Sequence, residues 1–72
     1  AYYNRGSAYA DLGQYKQAIK DYDRAIELNP EYAMAYYNQG NAYRKLGQYK
    51  QAIKDYDRAI ELNPEDAEAY CN

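Results

Sequence analysis

The sequence has no histidine, no tryptophan and no phenylalanine, one cysteine, one methionine and two prolines. Each shortage removes a class of function. Without histidine, and with the lone thiol of Cys71 second from the end, no nucleophile–base pair is apparent, so catalysis is not expected. One cysteine makes no internal disulfide, and without a histidine or a C-x-x-C pair it makes no zinc site. No metal and no cofactor is expected, and Cys71 reads as an inert bystander. Long apolar runs are missing, which excludes a membrane-spanning helix. No basic-then-apolar leader opens the sequence, so no secretory signal is expected. A surplus of one charge is missing too. Nine basic and eleven acidic residues alternate in sign and leave a net charge of −2. Binding to phosphate backbones needs a basic stripe, so nucleic acid is not an expected partner.

What is present is repetition. At 72 residues the chain allows one domain, and 47% apolar with 28% charged residues fits a globular class. The stretch QYKQAIKDYDRAIELNPE runs from Gln14 to Glu31 and again, unchanged, from Gln48 to Glu65. Gly6 and Gly40, Tyr9 and Tyr43, Gly13 and Gly47, and Pro30 and Pro64 are each 34 residues apart. A fixed period of this length means one supersecondary unit per repeat, stacked on its neighbour. The units read as residues 1–32 and 33–66, with 67–72 opening a third.

Each unit predicts two helices. In YKQAIKDYDRAIEL the apolar residues Tyr15, Ala18, Ile19, Tyr22, Ala25 and Ile26 form one helical stripe. Lys16, Lys20, Asp23, Arg24 and Glu27 fill the opposite face, which reads as solvated, with Asp21 and Arg24 as its attractive pair. The Asn-Pro pair ends the helix, because a residue before proline disfavours helical angles. The first helix of each unit is expected from about Ala1 to Leu12 and from about Glu31 to Leu46, with Pro30 at a helix start where its missing N–H is harmless. Gly13 and Gly47 are expected to terminate those helices as C-cap glycines. Gly6 and Gly40 stand inside them, where glycine costs about 1 kcal/mol against alanine, and are expected where helices touch most closely. All twelve aromatic residues are tyrosines, expected with the ring packed and the hydroxyl outward. Met34 is expected to fill a gap between units.

The pattern Tyr2-x-x-Arg5-Gly6-x-x-Tyr9, then Gly13, Tyr15, Ala18, Tyr22, Ala25 and Pro30, resembles the tetratricopeptide repeat. Tyr36, Gly40, Tyr43, Gly47, Tyr49, Ala52, Tyr56, Ala59 and Pro64 repeat it. Arg5 and Gln39 depart from it, standing where the family favours leucine, and are expected to leave that spot wetter. The resemblance implies an all-α, right-handed α-solenoid of antiparallel helix pairs. Its first helices would line a concave groove and its second helices the convex outside.

The differences between the two copies follow that division. Aligning 1–38 with 35–72 leaves seven mismatches: Arg5/Gln39, Ser7/Asn41, Ala10/Arg44, Asp11/Lys45, Tyr32/Asp66, Met34/Glu68 and Tyr37/Cys71. None falls in the second helix. The resemblance therefore implies a protein-interaction scaffold whose groove offers Tyr3, Asn4, Ser7, Tyr37, Asn38, Asn41 and Arg44 to a peptide or partner protein. Asparagine can both donate to and accept from a peptide backbone. The lysines with which one subclass of the family grips a C-terminal carboxylate are missing, so that binding mode is not expected. An RNA-binding relative of the family has a longer period and suits an acidic chain poorly. The alternative is an engineered or consensus-like repeat whose main behaviour is self-association, end to end or as a dimer. Its contact face would include Tyr56, Ile60 and Tyr70, left open where the third unit stops as a stub.

Overall fold

The computed structural model describes residues 2–63. They form four helices: α1 (Tyr2–Asp11), α2 (Tyr15–Leu28), α3 (Ala33–Lys45) and α4 (Tyr49–Leu62). There is no strand among the described residues. Helix α1 packs on α2, α3 packs on α4, and α2 packs on α3, whereas α1 and α3 meet only lightly. The expected third unit, with Tyr70 and Cys71, lies outside the described residues, as does Pro64.

The hairpins within the units follow from two glycines. Gly13 and Gly47 have φ of 80° and 81°, a left-handed conformation open to a residue without Cβ. Around Gly13, the Gln14 N–H donates to the Tyr9 carbonyl at 2.8 Å and the Gly13 N–H to the Ala10 carbonyl at 3.0 Å. The pair forms a Schellman motif, which satisfies carbonyls that the end of α1 would otherwise leave open. Gln48 with Tyr43 and Gly47 with Arg44 repeat it at 2.9 and 3.0 Å.

The link between the units differs from the expectation. Pro30 does not start α3. The Tyr32 N–H donates to the Asn29 carbonyl at 3.1 Å, closing a β-turn with proline second, and the Glu31 N–H donates to the Asn29 side-chain oxygen at 3.3 Å. That turn uses up residues 29–32, so helical bonding begins only afterwards and α3 starts at Ala33.

The buried apolar residues are mostly alanines: Ala18, Ala25, Ala35, Ala42, Ala52 and Ala59, with Tyr22 the large exception. Small side chains let the helix axes come close, and the internal glycines mark the tightest points. A Cβ on Gly6 would stand 3.0 Å from the Tyr22 ring and 3.2 Å from the Ala18 carbonyl oxygen. On Gly40 it would stand 2.9 Å from the Tyr56 ring and 3.2 Å from the Ala52 carbonyl oxygen. Each first helix thus has a notch filled by the tyrosine of its own second helix.

Candidate peptide-binding groove

A cavity of about 460 Å³ lies along the α1–α3 side. Of the seven residues expected in a groove, Tyr3, Ser7, Tyr37, Asn38, Asn41 and Arg44 line it, and Asn4 does not. Asp11, Tyr15, Tyr22, Met34 and Lys45 complete most of the wall.

Much of the polar lining is already engaged. The Ser7 and Tyr22 hydroxyls lie 3.1 Å apart, the Asn38 amide donates to the Tyr3 hydroxyl at 2.6 Å, and the Tyr56 hydroxyl donates to Asn41 Oδ1. The rings are layered in the same register in both units, with Tyr3 5.9 Å from Tyr22 and Tyr37 5.6 Å from Tyr56. Tyr32 closes the first stack, 4.8 Å from Tyr3. The expectation of outward hydroxyls therefore fails for Tyr22 and Tyr56. Their rings fill the glycine notches, which brings each hydroxyl to a side chain on the facing helix. Burial raises the Tyr22 pKa, so the hydroxyl stays protonated as a hydrogen-bonding group.

Charge enters the groove at the hairpin end. Arg44 and Lys45 are exposed and form no ion pair among the described residues, and Asp11 occupies in the first unit the place of Lys45 in the second. The wall thus combines tyrosine faces, an interlocked set of hydroxyls and amides, and two cations at one end. That arrangement can hold a chain segment by stacking and charge.

Sequence comparison adds the family. The sequence model of the tetratricopeptide repeat matches residues 1–32 and again 33–66. The chain belongs to the tetratricopeptide repeat family. Two crystal structures of MamA are similar to it. One is 40% identical with a TM-score of 0.87 over 88% of this chain, and the other 31% identical with a TM-score of 0.82 over 93%. In both cases the match spans 37% of the MamA chain. No curated protein sequence matches significantly. The all-α, helical-repeat solenoid is thereby established for this chain. Tetratricopeptide repeats generally mediate protein–protein interaction and are typically non-catalytic.

The two departures from the tetratricopeptide pattern do more than sequence reading expected. Arg5 donates through Nε and Nη2 to the two oxygens of Asp21, each at 2.9 Å, so Asp21 pairs with Arg5 and not with Arg24. Arg24 turns instead to Glu27, 3.0 Å away, an exposed pair of little energetic weight. The bond to Arg5 holds the Asp21 carboxyl below its ordinary pKa. Gln39 is not wetter. It is 3% exposed, and its amide donates to the Ile19 carbonyl at 3.2 Å and to Asp23. These bonds tie α3 to α2 of the preceding unit. One signal could have located Asp21 and its counterpart Asp55: both stand within the apolar stripe, three residues after Ala18 and Ala52, where a carboxylate faces inward and needs a partner.

The residues expected on a self-association face divide. Ile60 is 39% exposed, as are Tyr49 and Ile53 at 64% and 57%. Tyr56 instead lies against Gly40 and Tyr37 within its own unit. Tyr70 lies outside the described residues.

Proposed function

We propose that this chain is a non-catalytic scaffold module whose α1–α3 face receives an extended or helical segment of a partner protein. One observation carries the reading. The cavity is lined by both members of three of the pairs at which the two copies differ: Ser7 and Asn41, Ala10 and Arg44, Asp11 and Lys45. The helices behind it, α2 and α4, are identical. A framework held constant beneath a surface that varies is the pattern of a recognition face. Arg44 and Lys45 bias that face toward a segment carrying acidic side chains, with the tyrosine rings taking its apolar ones.

The test is to select binders of this 72-residue chain from a displayed library of random dodecapeptides. The recovered peptides are then measured against Arg44→Ala and Arg58→Ala by calorimetry. Arg44→Ala should weaken them several-fold while Arg58→Ala, on the α4 side, leaves them unchanged. Equal effects of the two variants would remove the groove reading.

A second reading is favoured by the contrast between α2 and α4. Tyr15, Ile19 and Ile26 are half-buried, whereas Tyr49, Ile53 and Ile60 are exposed on a helix of the same sequence. A second copy's α1 has much the residue pattern of α3, the helix that covers α2. As a consensus-like building block the chain would then self-associate through α4. Sedimentation from micromolar to millimolar concentration, with reductant present, should show mass rising with concentration. A constant monomer mass would eliminate this reading.

A further inference from the structure

The conserved skeleton of the two units contains one unmatched part. In the first unit the inward carboxylate Asp21 is held by both nitrogens of Arg5. In the second unit the counterpart of Arg5 is Gln39, whose amide nitrogen bonds to α2, at Ile19 and Asp23. The inward carboxylate Asp55 is left with a buried Oδ2 that has no hydrogen-bond partner among the described residues.

We propose that Asp55 is a proton switch at the junction of α2, α3 and α4, and that its charge state sets how firmly the second helix pair packs.

Among the described residues the surroundings supply no counter-charge. From α2 the group facing Asp55 is another carboxylate, Asp23. From α3 the groups are the neutral amide of Gln39 and the phenol of Tyr43, itself raised in pKa by burial and then by Asp23 and Asp55. The cations of α3, Arg44 and Lys45, are exposed. On α4 itself, Arg58 is bonded to Glu61 at 3.0 Å and engages Tyr36, while Lys54 and Asp57 are exposed. Burial first, and the charge of Asp23 second, push the Asp55 carboxyl up to about 7. A protonated Asp55 gains an O–H donor and ends its repulsion with Asp23.

The sign of the effect follows from proton counting. An unfolded aspartate ionises near ~3.9, the folded Asp55 near 7, so between those values the folded chain binds more protons. The stability from this group is complete in acid and is lost as pH rises through 7. Asp21 runs the other way, losing its contribution only as pH falls below the ordinary carboxylate range.

Carboxyl ¹³C NMR of the 72-residue chain reads the switch directly. The Asp55 signal should titrate about three pH units above an ordinary aspartate, and a midpoint near ~4 overturns the proposal. Thermal unfolding supplies the linkage. The wild-type Tm should fall between pH 5 and pH 8, and Asp55→Asn should flatten that fall; an unchanged slope in Asp55→Asn overturns it. Gln39→Arg restores the cation of the first unit and should draw the Asp55 midpoint back into the ordinary carboxylate range. A midpoint unmoved by that arginine would likewise refute the missing-cation argument.

Discussion

Helices α2 and α4 consist of the same 14 residues, and yet their inward aspartates live in opposite electrostatic worlds. Asp21 is fixed by a bidentate guanidinium and keeps its charge; Asp55 is desolvated by burial, and then crowded by a second carboxylate, so its pKa is pushed up. Nothing in the helix that carries them accounts for the difference. Part of it lies at one position on the facing helix, Arg5 in the first unit and Gln39 in the second, and part in Asp23 of the preceding helix α2, which has no counterpart beside Asp21 among the described residues. The same exchange explains a second contrast. Arg5 is spent within its own unit, whereas Gln39 bonds backward across the α2–α3 contact. A tandem array can thus keep its framework constant and still give each unit separate chemistry through a single residue of the first helix.

The largest test asks where the units are alike. Gly6→Leu and Gly40→Leu should each destabilise the chain by about 3 kcal/mol, the upper part of the range for overpacking, because the added carbons meet a backbone carbonyl that cannot move aside. Thermal unfolding measures both, and a variant that melts at or above the parent temperature would mean the notch is not a close contact. Next in size is the change that makes the first unit imitate the second. Arg5→Gln leaves Asp21 buried without its partner, so Tm at neutral pH should drop by several degrees and the Asp21 carboxyl should titrate upward. It should stop short of Asp55, since among the described residues no earlier carboxylate plays the part of Asp23. A smaller effect is expected from the hydroxyl contacts. Ser7→Ala should cost about 1–2 kcal/mol and Asn41→Ala nearer 1 kcal/mol, because Tyr22 is the more deeply buried of the two tyrosines. Denaturant titration would reverse that ranking only if Tyr56 were the better buried ring. The smallest change is Arg44→Ala, exposed and unpaired among the described residues, which should stay within about 0.5 kcal/mol of the parent in the same titration.

How much of this was readable beforehand depended on how far along the chain each cause acts. The helices and the turn glycines rest on residues a few positions apart, and the repeat period and the notch glycines show because the sequence displays them twice. The start of α3 differs from the sequence expectation because Asn29 can serve either as the end of one helix or as the first residue of a turn, and only its bond to Tyr32 decides. The Arg5–Asp21 pair spans 16 positions and two helices, so helical neighbours such as Arg24 looked better on paper than the real partner. Gln39 reads as wet from the sequence because a polar residue at a leucine position suggests exposure unless the acceptors on the previous helix are known. In the groove, residue identity was legible, but the internal engagement of Ser7, Asn38 and Asn41 was not.

The alanine core carries a thermal consequence. The heat-capacity increment of unfolding comes mainly from apolar surface newly exposed to water, about 12–15 cal/mol/K per residue for ordinary domains. Here the fully enclosed side chains are mostly single methyl groups, and apart from Tyr22 the larger isoleucines and tyrosines keep part of their surface in solvent. The increment per residue should therefore fall below that range, and the curve of stability against temperature should be unusually shallow. Such a stack should keep a nearly constant margin of stability across a wide span of temperatures.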